Sequence, residues 1–318
     1  ANEAPPAILS VYLGDQLGDV LNQLLSTGTA THSLEGEKLE TGVKTIPDFM
    51  KDATDRNRTS PFAFTGNKFE FRSLGSNDSI ACCNIMLNTA VAEELSQFAD
   101  QLEGSKDINK AVHDLVLKTI KEHKRIIFNG NGYSDEWVKE AEKRGLMNLK
   151  TTPDALAHLC DKKNADVLKK HGVFNDVELK SRYEIYNDNY TKVINIEALT
   201  MIDMTKKLYL PAASAYGKKL ADSVTVKTSI GVDSTYETDV AKNAGKLTAS
   251  IFNKVQTLEK AIAAAKDVTE ADKAAVYYKE SVIPAMNELR ANVDELEGLM
   301  PSCEWPVPSY GDLLFSVR

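Results

Sequence analysis

Along most of the chain, apolar side chains return every three or four positions, the spacing that gives a helix one buried face. The last third shows it most clearly. Val240, Ala244, Leu247, Ile251, Val255, Leu258 and Ile262 recur at intervals of four and three. After a polar break at 267–269, Ala274, Tyr278, Val282, Met286, Leu289, Val293 and Leu296 keep the same period. Two such runs joined by a short polar turn predict an antiparallel helical hairpin at about 236–298. Each run is too short for the sustained heptads of a coiled coil, so packing within the chain is the expectation. Pro284 lies inside the second run and predicts a kink, because proline lacks the N–H that a helix interior needs.

Upstream, Met86, Ala90, Ala92, Leu95, Phe98 and Leu102 predict a helix from about residue 84 to Gly104, and 107–125 predicts another. Asn129-Gly130-Asn131-Gly132 reads as a turn, after which Ser134 offers N-cap chemistry to a further helix. Thr152-Pro153-Asp154 and Asn175-Asp176-Val177-Glu178 open two more, and 178–220 reads as one or two long helices broken near Pro211. Residues 7–26 form one apolar-periodic segment after Pro5-Pro6, which suits a helix start. Residues 27–60 are polar and read as a long surface excursion. The period changes once. Lys68-Phe69-Glu70-Phe71-Arg72 alternates, predicting a half-buried strand with Phe69 and Phe71 facing the core and Lys68, Glu70 and Arg72 sharing the other face. The tail Trp305-Pro306-Val307-Pro308 is expected to be extended and docked.

Composition changes this picture little. With 318 residues, 42% hydrophobic and 26% charged, the chain can bury at least one good core in roughly one to three domains. The net charge of −8 comes without any dense basic cluster, which argues against nucleic acid and reads as a solubility feature. Cys82, Cys83, Cys160 and Cys303 have neither zinc-ligand nor redox spacing, so reduced thiols in a cytoplasmic or organellar-stroma compartment are expected. There is no signal-peptide pattern and no apolar run long enough to span a bilayer. The start at Ala1-Asn2-Glu3, without an initiator Met, reads as a mature, cut or truncated chain.

Candidate chemistry concentrates on the alternating strand. A carboxylate such as Glu70 can ligate Mg2+ or Mn2+, hard ions that bridge phosphate oxygens. Flanking ammonium and guanidinium groups, here Lys68 and Arg72, can stabilise charge on a transferring phosphoryl group. Arg56 and Arg58 lie a short loop upstream. On pattern alone, alternating charge on a solvent-facing strand is the commoner explanation, and Glu3 reads as an exposed terminal residue. His113 and His123, ten residues apart on one predicted helix, fall nearly on opposite sides. No P-loop, dinucleotide glycine pattern or nucleophile elbow occurs.

Longer strings add a resemblance. ANEAPPAILSVYLGDQL resembles the segment of type III glutamine synthetases that carries the flap over the glutamate site. RNRTSPFAFTGNKFEFRSLGSNDSI resembles their phosphate- and metal-binding stretch. LNTAVAEELSQFADQLE, IIFNGNGYSDEWVKEAEKRGL, KHGVFNDVELKSRYEI, INIEALTMIDMTKK and EWPVPSYGDLLF resemble successive blocks towards the family's C-terminus.

The resemblance implies an α+β, predominantly α-helical fold: the end of a catalytic domain over 1–100, then a helical C-terminal region over 101–318. It implies an ATP-dependent ligase joining ammonium to L-glutamate through γ-glutamyl phosphate, with Mg2+ or Mn2+, in a ring-shaped homo-oligomer. Glu3 resembles the flap glutamate that helps deprotonate ammonium. Arg58 resembles the arginine contacting the transferring phosphate, and Lys68 a nucleotide-contacting basic residue. Glu70 resembles a metal-ligating glutamate, and Arg72 the arginine that holds substrate carboxylate or phosphate. Other classes of the family have a further arginine five residues after the one that Arg58 resembles, and here that place is Ala63. Most of the family's metal ligands lie upstream of such a segment, so the chain alone is expected to be inactive. The alternative is a stand-alone, non-catalytic helical scaffold derived from this family.

Overall fold

The computed structural model describes residues 8–34, 38–39, 45, 49–50, 59–72 and 79–315. Glu3 and Arg58 lie outside them. The chain divides into two compact units, Ala1–Lys150 with Lys162–Asn175, and Thr151–Asp161 with Asp176–Arg318. Helices dominate the described residues beside a small three-stranded sheet, the predominantly helical α+β composition expected.

In the first unit, strand β1 (Val11–Tyr12) runs parallel to β4 (Phe62–Phe64), which pairs antiparallel with β5 (Phe69–Phe71). Within the polar excursion, β2 (Lys38–Leu39) and β3 (Phe49–Met50) form a separate antiparallel pair. The helix expected to fill 7–26 begins only at Gly14: α1 spans Gly14–Thr27. The residues before it alternate, with Ile8, Ser10 and Tyr12 buried and Leu9 exposed, which is strand periodicity. Gly14 has φ 77°, a conformation that side-chain-bearing residues resist, and it separates strand from helix. Asn129 fixes that corner: its Oδ1 accepts the Leu13 N–H at 3.0 Å, and its Nδ2 donates to the Gly14 carbonyl at 3.3 Å.

Helices α2 (Ala81–Leu102) and α3 (Ile108–His123) follow as expected, with Asp107 accepting the Lys110 N–H as N-cap. Helix α4 (Asp135–Lys143) starts at the expected cap, Ser134 Oγ accepting the Trp137 N–H at 3.2 Å. Trp137 is buried with Ile8 and Ala141 and stacks on Phe128, ring centroids 4.0 Å apart.

The second unit is a bundle. After the short α5 (Thr152–Leu156), α7 (Asp176–Met204) leads through a π-helical turn into α8 (Leu210–Ser229). Helix α6 (Lys162–Lys170), in the first unit, was not foreseen. The expected hairpin is present as α9 (Thr235–Ala265) against α10 (Ala271–Tyr277), a second π turn and α11 (Ile283–Leu299). Ile251, Val255 and Leu258 of α9 and Leu289 and Leu296 of α11 are fully buried together, and α8 adds Ala213, Tyr216 and Leu220 to the same core.

Both prolines act through the same device. Pro211 and Pro284 each crowd the carbonyl four residues back, that of Lys207 and that of Glu280. Those two residues are the centres of the π turns Thr205–Tyr209 and Tyr278–Val282. The expected break and kink are therefore widened turns in continuous helix. Trp305 docks as expected, stacked on Tyr209 at 5.1 Å and 8°, within a turn rather than an extended tail. A last short helix, α12 (Tyr310–Phe315), leaves Tyr310, Leu313, Leu314 and Phe315 exposed.

Candidate functional site

Strand β5 owes its place to a tight hairpin, in which the Thr65 N–H donates to the Lys68 carbonyl at 2.8 Å. The register sets Phe62 opposite Phe71, Ala63 opposite Glu70 and Phe64 opposite Phe69. The alternation read from sequence holds, but the two faces exchange roles. Phe69 and Phe71 do not enter the core; they are 48% and 37% exposed. Their rings instead cover one another across the strands, Phe62 stacking on Phe69 at 5.2 Å and 12°. Cross-strand aromatic contact supplies here what a core would have supplied. The covered face is the other one, where Ala63 is fully buried beside Glu70.

On that face the three sequence candidates meet. Arg72 Nη2 donates to Glu70 Oε2 at 3.0 Å, and Lys68 Nζ lies 3.5 Å from Oε1. Arg72 is the better anchored cation. Its side chain is 28% exposed against 66% for Lys68, and its N–H extends the ladder to the Pro61 carbonyl at 2.8 Å. Its Nη1 also reaches the Ser60 carbonyl at 3.5 Å. The Arg72 hydrogen bond, followed by the Lys68 contact, outweighs partial burial and holds the Glu70 carboxyl below the usual carboxylate range. Glu70 is thus ionised at neutral pH, and each of its oxygens faces a cation. Ala63 is enclosed directly across from Glu70, and among the described residues Arg72 is the guanidinium on this carboxylate.

The loop that enters this strand pair is held from behind. The Gly132 N–H donates to the Thr59 carbonyl at 2.9 Å, and a Cβ on Gly132 would come within 2.6 Å of that oxygen. The Asn129–Gly132 turn therefore secures both the β1–α1 corner and the start of β4, a role its spacing did not announce. Ser10 is 1% exposed, and its Oγ has no hydrogen-bond partner among the described residues. Sequence reading also missed Glu93 of α2, which accepts from Lys170 at 2.8 Å and lies 2.7 Å from His171 Nε2. The pairing joins α6 to α2, and only tertiary structure brings residues so distant in sequence together.

As a metal site the strand supplies one hard oxygen donor. No group of three His, Cys, Asp or Glu side chains able to hold an ion occurs among the described residues. The donor set fits one corner of a divalent-ion site and not a whole one. No described helix is long and apolar enough to cross a membrane.

A family model described as the glutamine synthetase C-terminal domain matches residues 111–228. The type-3 glutamine synthetase of Dictyostelium discoideum is 38% identical over 99% of this chain and 44% of its own length. The glutamine synthetase of Butyrivibrio fibrisolvens is 40% identical over 100% of the chain and 45% of its own length, and that of Bacteroides fragilis (strain YCH46) 35% over 99% and 45%. The chain thus spans less than half the length of the curated relatives it matches. Similarity at this level runs over nearly every residue: the chain is similar along its whole length to the C-terminal portion of these glutamine synthetases, one of them named type-3, and residues 111–228 match their C-terminal domain.

Proposed function

We propose that this chain forms part of an ATP-dependent glutamate–ammonia ligase that makes L-glutamine through γ-glutamyl phosphate. The observation that carries the reading is the convergence of Lys68, Glu70 and Arg72 on the covered face of β5, with Glu70 ionised between two cations. In this reading Glu70 is one ligand of a Mg2+ or Mn2+ ion, and the remaining ligands come from the part of the synthetase upstream of this chain. Bound there, the ion would neutralise phosphate charge. With such an ion bound, Arg72 would hold the substrate carboxylate or phosphate and Lys68 would meet the nucleotide. Arg58 would contact the transferring phosphate, and Glu3 would close the site and take a proton from ammonium. The division at residue 100, between the end of the catalytic domain and a helical region, and the assembly into a homo-oligomeric ring belong to the same proposal.

The test is Glu70→Ala and Glu70→Gln in the full-length synthetase, with divalent-dependent ATP binding measured beside glutamine formation. Loss of one charged ligand should weaken divalent-dependent nucleotide binding about tenfold or more and reduce kcat at saturating glutamate. Unchanged ATP affinity in both variants would favour the non-catalytic scaffold.

A further inference from the structure

The second unit holds a cleft that the proposed catalysis does not use. It lies between α5, α7 and α10 and has a volume of about 290 Å3. That is room for several waters or one small solute. Its polar groups are Tyr183 and Asn187 of α7 and Asp272 and Lys273 of α10, and its apolar wall is Pro153, Ala157 and Val276.

Asn187 is 1% exposed, a burial that an amide tolerates only when its polar atoms are used. Its Nδ2 donates to the Tyr183 carbonyl at 3.0 Å and its amide also meets the Tyr183 hydroxyl, while its Oδ1 accepts no hydrogen bond from the described residues. Asp272 is similarly under-used. Its Oδ1 accepts the Lys273 N–H at 2.8 Å, while its Oδ2 receives only a long 3.3 Å bond from the Tyr183 hydroxyl. Two acceptors therefore line the cleft with capacity to spare, and one of them is anionic. Lys273 Nζ rests on Glu270 at 2.6 Å with both side chains more than 60% exposed, so it can turn to another anion at little cost. The walls are fixed in advance. Asp154 beside Pro153 accepts from Lys279 at 2.6 Å and from Thr151 at 2.6 Å, tying α5 to the helix that follows Asp272.

One anion, one mobile cation, a spare amide acceptor and a short apolar wall describe a site for a small dipolar ion. We propose that this cleft binds a free α-amino acid, with its ammonium on Asp272 Oδ2 and Asn187 Oδ1, its carboxylate on Lys273 Nζ, and a small side chain against Pro153, Ala157 and Val276. The site does not depend on the catalytic reading above.

Saturation-transfer NMR on the 318-residue chain tests it, with glycine, L-alanine and L-glutamine as probes at about 10 mM, a range suited to millimolar affinity. Binding of at least one probe is expected. Asp272→Asn and Lys273→Gln should each weaken it about tenfold, since each removes one charged partner. Both lie at the partly open rim, and unchanged far-UV circular dichroism would show that they fold. Glu70→Ala should bind as the parent chain does, which separates this cleft from the strand site. N-acetyl-L-alanine and L-alanine methyl ester should both bind at least tenfold more weakly than L-alanine. Absence of transfer for all three amino acids would overturn the proposal, as would affinity unchanged in both cleft variants, affinity lost in Glu70→Ala, or equal binding of either blocked derivative.

Discussion

Single residues carry more than their sequence context announces, and Glu93 is the clearest case. Lys170 first, then Gln97 and His171, hold its carboxyl far below the usual range, at about 2. A depressed carboxylate pKa stabilises the folded chain above the unfolded value and ceases to do so as pH falls through the folded one. The contribution is therefore complete above about 4.5 and disappears as pH falls from there towards about 2. Glu93→Gln should lower stability at neutral pH and flatten the pH dependence of the urea midpoint across that window; an unchanged slope would count against the assignment. Glu70, Lys68 and Arg72 were legible because a strand repeats every two residues, so their shared face followed from spacing. Which face would be covered did not follow, because that depends on what packs behind Ala63.

Helices declared themselves better than strands. The expected cap at Ser134 accepts the Trp137 N–H, and Asp107, not singled out from the sequence, caps α3 in the same way. Ser134→Ala should cost about 1 kcal/mol, measurable as a lower urea midpoint at unchanged m-value. The β1–α1 segment misled because a strand of two paired residues and a helix share one apolar run. The glycine at their junction and the Asn129 side chain from far along the sequence decide where one becomes the other. The prolines were read correctly as disturbances. Their outcome, a π turn centred on the crowded carbonyl, did not follow from spacing; at the first of the two, Tyr209 also carries the stacked Trp305 ring.

At the scale of the molecule, each unit has its own buried cluster, Trp137 reporting one and Trp305 the other, and the chain has only these two tryptophans. Leu258 is fully buried in the second cluster, so Leu258→Ala should destabilise that unit by about 2–5 kcal/mol. In single-tryptophan variants, the Trp305 transition should move to lower urea by more than the Trp137 transition does; equal shifts would show that the units unfold as one. Assembly is tested by Lys242→Glu and Lys246→Glu, both exposed on α9. Slower sedimentation of the full-length synthetase should precede any loss of activity, and unchanged sedimentation would count against hairpin contacts between subunits.

By itself the sequence determined the helical periods, the Ser134 cap, the hairpin and the placement of three charged residues on one strand face. These follow from local spacing and backbone chemistry, which act over a few residues. Tertiary structure alone decided which sheet face is covered, where the first helix begins, how α8 joins the hairpin core, and that Glu93 meets Lys170 and His171. It also brought Asn187 and Asp272 to one cleft. Each of these pairs groups separated by many positions, and no local period encodes such a meeting: it is set by which apolar faces exclude water from one another when the chain closes.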